Sequence, residues 1–226
     1  MVSKSEPLAE GTVIMADDQF AGRGQLGNTW ISKAGLNLTF SIYLRPTFIN
    51  IASQFQLNIA VSVGLVDALK GYVDHGIKVK WPNDIYFRDQ KIGGVLIENT
   101  LSSGNLKSSI IGIGINVNQQ VFDVSKVKCA TSLREILQQD VDLIKLLGEI
   151  CTAIEREYLS LRSGRHENLK ESYLSKMYRY QEEARYRDGN GVFDGVITGI
   201  TDAGQLILEV TGAQRIYGFK EVEFII

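Results

Sequence analysis

The stretch K-V-K-W-P-N-D, Lys78 to Asp84, sets two lysines and two small polar side chains around a rigid Trp-Pro step. Lys78 and Lys80 fall on one side of an extended segment and Val79 on the other. Pro82 forces Trp81 into an extended conformation, so Asn83 and Asp84 project from a tight turn. The functional reading of Lys80 is an ammonium fixed at a pocket floor. Asn83 and Asp84 could hydrogen-bond a ligand, or Asp84 could hold a hydrated Mg²⁺. A solvated strand end with snorkelling lysines is the plainer reading of the same residues.

A second cluster is A-G-R-G-Q-L-G-N-T-W, residues 21–30. Gly22, Gly24 and Gly27 let main-chain N–H groups approach an anion, and Arg23 adds a planar fork suited to carboxylate or phosphate. The spacing fits G-x-G-x-x-G. A dinucleotide fingerprint, however, needs a helix after the loop, and here Trp30 and a Lys33–Gly35 turn lead into a strand. The Rossmann reading is therefore rejected, and a flexible hairpin loop is the alternative. A third cluster pairs K-I-G-G-V-L-I-E with G-I-G-I-N-V-N. Gly93-Gly94, Gly112 and Gly114 interrupt apolar, β-branched strands, where glycine often marks close approach of a ligand. On neighbouring strands they describe a flat slot free of side chains, with Asn116 and Asn118 just beyond it. A pair of β-bulges is the competing explanation.

The elements that must carry these clusters are legible in outline. T-V-I-M-A (12–16) and the strictly alternating L-N-L-T-F-S-I-Y-L (36–44) read as strands. Ser53 with Gln56 fits a capping box opening a helix, whose stripe is Leu57, Ala60, Val61, Leu65, Ala68 and Leu69. Gly71 and Gly76 bound its end. Segments 77–81, 91–100 and 108–118 read as strands joined by short turns, which favours antiparallel or mixed pairing over a doubly wound sheet. Helices follow at 142–161 and 166–178. Beyond about residue 180 the chain is all short strands and turns, with T-D-A-G-Q (201–205) as a hairpin turn. This suggests a main domain over 1–178 and a small β-barrel over 179–226, too thin to stand without packing on the larger part.

Composition bounds the function. Of 226 residues, 44 % are apolar and 22 % charged, with a formal net charge of −2, an ordinary globular balance. No clustered basic run appears, which argues against nucleic acid as the main ligand. No stretch approaches a bilayer span and the N-terminus lacks a signal-peptide core, so a cytoplasmic protein without a membrane partner is expected. Cys129 and Cys151 read as reduced and partly buried. Neither they nor His75 and His166 have metal-ligand spacing.

Taken in order and spacing, G-R-G-Q-L-G-N-T-W, K-W-P-N-D-I-Y-F, K-I-G-G-V-L-I-E and G-I-G-I-N-V-N resemble the biotin protein ligases, most strongly from Gly11 to Asn118. The resemblance implies an α+β fold: a mixed, largely antiparallel sheet with helices packed on it, of the class II aminoacyl-tRNA synthetase and biotin ligase type, plus a C-terminal SH3-like barrel. It implies a two-step reaction. Biotin and ATP give biotinyl-5′-AMP and pyrophosphate, and biotin then passes to a lysine of a carboxylase carrier domain. It assigns Lys80 and Arg23 as catalytic. Gln19, Arg23, Gly24, Gln25, Lys80, Gly94, Gly112 and Gly114 would contact biotin, and Arg23, Gln25, Asn28, Trp30, Lys80, Asn83 and Asn116 would contact ATP. Mg²⁺ is expected with ATP, with Asp84 as the candidate ligand, and relatives dimerise through sheet edges. The sequence departs from the family at Gln25 and Asn28, where several relatives carry arginine, and in lacking a Ser-Thr-Asn segment ahead of the first strand. With no room for an N-terminal DNA-binding domain, no repressor role is expected. The alternatives are a lipoate- or octanoate-transferring relative and a biotin binder without turnover.

Overall fold

Leu38, Phe40, Ile42 and Leu44 alternate with polar or small residues and are all buried, so β4 (Leu38–Leu44) is a strand with one face committed to the core. The computed structural model describes residues 8–123 and 129–226. The start of the chain, to which the expectation about a Ser-Thr-Asn segment refers, lies up to residue 7 outside them. β4 sits between β1 (Thr12–Met15) and β8 (Asn105–Ile115). Beyond β8 come β7 (Gln90–Ser102), β6 (Asp84–Phe87) and β5 (Ile77–Lys80), so the sheet order is β1-β4-β8-β7-β6-β5. All five pairings are antiparallel. Between β1 and β4, the glycine cluster folds into a hairpin of two short strands, β2 (Gly22–Arg23) and β3 (Thr29–Trp30), joined through residues 24–28.

One face of the sheet is covered by helices. α1 (Phe55–Lys70) starts at Phe55, not Ser53, and the capping box does not form. A 3₁₀ turn over Ile51–Ser53 precedes it, and there the Asn50 side chain accepts from the Ala52 N–H. Ile59, Val63 and Val66 are buried together with the expected stripe, of which Ala68 is only half-buried, because α1 is enclosed on several sides rather than on one. It packs on β5 and on two later helices, α3 (Leu143–Arg162) and α4 (His166–Ser175). At the α1–α3 crossing a Cβ on Gly64 would lie 2.8 Å from the Ile154 Cα, so the two backbones meet only because that residue has no side chain. A short helix, α2 (Leu133–Leu137), is capped by Ser132, whose hydroxyl accepts from the Glu135 N–H at 3.2 Å.

The remaining strands form a second, five-stranded antiparallel sheet of SH3-like kind: β9 (Glu183–Asp188), β10 (Gly191–Ile200), β11 (Leu206–Val210), β12 (Ala213–Tyr217) and β13 (Glu223–Phe224). The expected turn at 201–205 joins β10 to β11, with Gly204 at φ +86°. The two sheets share one core. The indole N–H of Trp81 donates to the Gly204 carbonyl at 2.9 Å, the Phe55 ring fills the space a Gly204 Cβ would need, and Phe219 packs against Trp81 and Phe55. The main-domain turn at Trp81 is thus the socket for the second sheet.

Candidate active site

The face of the six-stranded sheet turned away from the helices carries the site. Register places Thr39, Gly114, Gly94 and Asp84 in one row across β4, β8, β7 and β6, and Ser41, Gly112 and Leu96 in the next. Gly94 lies directly opposite Gly114, so the sheet is bare at its centre. These glycines are not bulges. The register shift nearest them falls at Ile92. A cavity of about 430 Å³ stands on this floor. The β2–β3 hairpin forms its roof, with the Trp30 ring lying over Gly114. Gly22 and Gly24 serve close approach rather than unusual angles: a Cβ on Gly22 would sit 2.3 Å from the Trp30 carbonyl oxygen. Gly27 alone of the three takes a positive φ, +85°.

Of the residues singled out in the sequence, Gln19, Arg23, Gly24, Gln25, Asn28, Trp30, Asn83, Asp84, Gly94, Gly112 and Gly114 all line this cavity. Lys80 does not. It sits on β5, at the edge of the sheet, opposite Asp84 and two strands from Gly94. Its amine donates to the Tyr86 hydroxyl at 3.1 Å and lies 4.7 Å from the Tyr86 ring centroid and 5.2 Å from that of Phe224. The second sheet covers it. This burial lowers the Lys80 pKa from its ordinary value, the Asp84 charge opposing the shift, and burial likewise raises the pKa of Tyr86. Lys78 is also occupied elsewhere, donating to the Ser175 carbonyl at the end of α4 at 3.0 Å.

The ammonium over the glycine floor belongs to Lys91. Its Nζ bonds to Asp84 Oδ1 and stands 3.4 Å from where a Gly94 Cβ would be. Strict alternation puts Lys91 and Gly94 on opposite faces. The bulge at Ile92 removes one step of that alternation, pairing Tyr86 with Lys91 and Ile85 with Gly93. The lysine is thereby turned onto the glycine floor, and no sequence pattern announces it.

Two further expectations are corrected. Asn116 does not face the cavity; it is buried and its amide donates to the Thr131 carbonyl at 3.0 Å, holding the chain ahead of α2. Asp84, the candidate Mg²⁺ ligand, lines the cavity and bonds to Lys91, and Glu98 bonds to Arg23. No group of three His, Cys, Asp or Glu that could hold a metal occurs among the described residues; a Mg²⁺ held by one carboxylate and nucleotide phosphates would not need one. Cys129 is exposed rather than partly buried. The sequence reading also missed Phe219 and Lys220, which the β12–β13 turn of the second sheet brings to the cavity wall.

A bare floor, a paired ammonium and a glycine-hairpin roof define a site for a flat organic ligand that meets an anion. The chain belongs to the Biotin/lipoate A/B protein ligase family, which it matches over residues 3–116. It is 34 % identical over 211 residues to the bifunctional ligase/repressor BirA of Bacillus spizizenii, an alignment that covers 92 % of this chain and 65 % of that protein. The chain thus spans about two thirds of the length of that relative. It is 28 % identical over 223 residues to a biotin–[acetyl-CoA-carboxylase] ligase of Paracoccus denitrificans, covering 96 % of this chain and 92 % of that one. The structure superimposes on the biotin protein ligase of Aquifex aeolicus in complex with biotin and ATP with a TM-score of 0.80 and 30 % identity, covering 97 % and 91 % of the two chains.

Proposed function

We propose that this protein is an ATP-dependent biotin–protein ligase. In the first step a biotin carboxylate oxygen attacks the α-phosphorus of ATP, the bond to the β-phosphate oxygen breaks, and pyrophosphate leaves. In the second, the neutral amine of a carrier-domain lysine attacks the acyl carbon of biotinyl-5′-AMP. The amide forms, AMP leaves and the amine gives up a proton. The single observation that carries this reading is the Lys91 ammonium poised over Gly94, which pairs with Gly114 across the floor. Two anions must meet in the first step, and a cation fixed between them offsets their repulsion as charge builds up. We therefore transfer to Lys91 the role that the sequence suggested for Lys80. Asp84 holds the Lys91 ammonium in place until a substrate anion competes for it.

In this reading biotin's rings lie on Gly112, Gly114 and Gly94, with Gln19, Gly24 and Gln25 around them. ATP lies toward Trp30, Asn28 and Asn83, and Lys220 adds charge from the second sheet. Mg²⁺ would accompany the nucleotide phosphates and offset their charge, with Asp84 as the carboxylate nearest to hand in the cavity. The acceptor is a biotin carboxyl carrier protein or domain. A homodimer in the cytoplasm, joined through the open β1 edge, completes the proposal; Val13 and Ile14 are exposed on that strand. Biotin-dependent exchange of labelled pyrophosphate into ATP, together with the mass gain of a carrier domain, tests it. Exchange with lipoate or octanoate but not biotin would overturn the substrate, and tight biotin binding without AMP release would overturn the activity.

A further inference from the structure

We propose that Glu98 is the positioning residue that pins the glycine hairpin down as the roof of the cavity and sets how long a bound ligand stays beneath it. Glu98 lies on β7, on the same face as Gly94 and Leu96, at the end of the floor away from Lys91. Arg23 reaches it from the hairpin with both arms of its guanidinium: Nη1 donates to Oε1 at 3.0 Å and Nη2 to Oε2 at 2.9 Å. The hairpin itself is closed by the Gly24 N–H to the Asn28 carbonyl at 2.7 Å and by the Gly22–Trp30 pairing. Its second attachment is the Trp30 ring on Gly114, on the neighbouring strand β8. The roof is therefore fastened at two points, an apolar one over the floor and an ionic one at the rim.

The two fastenings differ in character. Trp30 on Gly114 is a packing contact inside the cavity and must adjust to whatever fills it. The Arg23–Glu98 pair stands at the rim, with side chains 72 % and 45 % exposed, and can persist while a ligand is bound. A parallel two-bond fork fixes direction as well as distance, which a single contact does not. Being exposed, it is modest in strength and sensitive to salt. Those properties suit a latch that must open to admit substrate and release product. β7 does not need the pair for its own formation, since its ladder to β8 runs through backbone bonds on both sides of Glu98.

The identity of the retained ligand rests on the ligase reading; the latch does not. The first arm of the test is limited trypsin cleavage after Arg23 in the ligand-free full chain. Glu98→Ala is expected to be cut about three- to fivefold faster than wild type, the size of effect a well-formed exposed pair gives, with Glu98→Gln between them. Salt at about 0.5 M is expected to speed the wild type toward Glu98→Ala and to leave that variant unchanged. Asp140→Ala, which breaks the exposed Arg134–Asp140 pair elsewhere, is the control and is expected to match wild type. Equal cleavage of wild type and Glu98→Ala would overturn the latch. The second arm loads the protein with biotin and MgATP and follows release of biotinyl-5′-AMP into a chase of unlabelled biotin. Faster release and a raised KM for biotin, with little change in the maximal exchange rate, are expected for Glu98→Ala; unchanged release would overturn the retention role. A wild type that makes no adenylate sinks the ligase reading and leaves the cleavage arm to decide the latch by itself.

Discussion

In the proposed reading, two lysines on either side of β6 divide the chemistry from the architecture. Lys91 points over the glycine floor and Lys80 lies under Phe224 and against Tyr86. Lys91→Ala is expected to lower biotin-dependent pyrophosphate exchange by about a hundredfold or more, the range for removing one preorganised electrostatic group; exchange within twofold of wild type would sink its assigned role. Lys80 should act on stability instead. Its ammonium is the disfavoured form in the fold, because burial depresses its pKa. Burial of the protonated amine therefore costs the folded chain stability. That penalty is relieved as pH climbs through the folded pKa toward the unfolded value of about 10.4. Wild type should therefore gain stability relative to Lys80→Met as pH climbs through that interval. Parallel Tm curves for the two proteins over that range would contradict this.

At the scale of the element, the β7–β8 pair makes neighbouring glycines do different work. A Cβ on Gly93 would sit 2.5 Å from Ile115 Cδ1 and 2.7 Å from the Gly114 carbonyl, on the helix-covered side. Gly93→Ala is expected to cost about 1–3 kcal/mol of folding stability by overpacking, as read from denaturant midpoints. At Gly112 the nearest atom to an added Cβ is the Leu96 carbonyl oxygen at 3.6 Å, an ordinary contact on the cavity side. Gly112→Ala should leave the midpoint within about 0.5 kcal/mol and raise the KM for biotin, because its methyl stands on the floor. The reverse pattern, a destabilised Gly112→Ala and a tolerated Gly93→Ala, would show that the floor has been placed on the wrong face. Glycine content and strand alternation could be read from the sequence, and so could the bare slot. Which glycines serve the slot and which serve packing depends on the register, and that was not legible.

For the whole molecule, the decisive feature is the shared core. Trp81, Phe55 and Phe219 join the sheets, and Tyr178 continues the contact to Phe224. The division into 1–178 and 179–226 follows the change in composition, yet the core runs across it. Heating or urea should therefore unfold the chain in one transition, with indole fluorescence and far-ultraviolet circular dichroism giving coincident midpoints. Two separated transitions would mean that the second sheet is an independent unit. The junction also bears on the site, since the β12–β13 turn that anchors Phe219 carries Lys220 to the cavity. Trp81→Leu, which removes the bond to Gly204, is expected to lower the midpoint and to weaken ATP use more than biotin binding.

The sequence by itself determined the family resemblance, the antiparallel character of the main sheet, the glycine hairpin and the side-chain-free floor. Each of these is written in local residue types and short-range periodicity, which act over a few residues. Tertiary structure alone decided which ammonium stands over Gly94, that Asp84 and Glu98 pair with cations of the chain, that Asn116 is a packing residue, and that the second sheet closes one wall. The physical reason is geometric. A single bulge at Ile92 reverses side-chain parity, and ion pairs such as that between residues 23 and 98 form between positions whose separation in the chain carries no trace of their meeting.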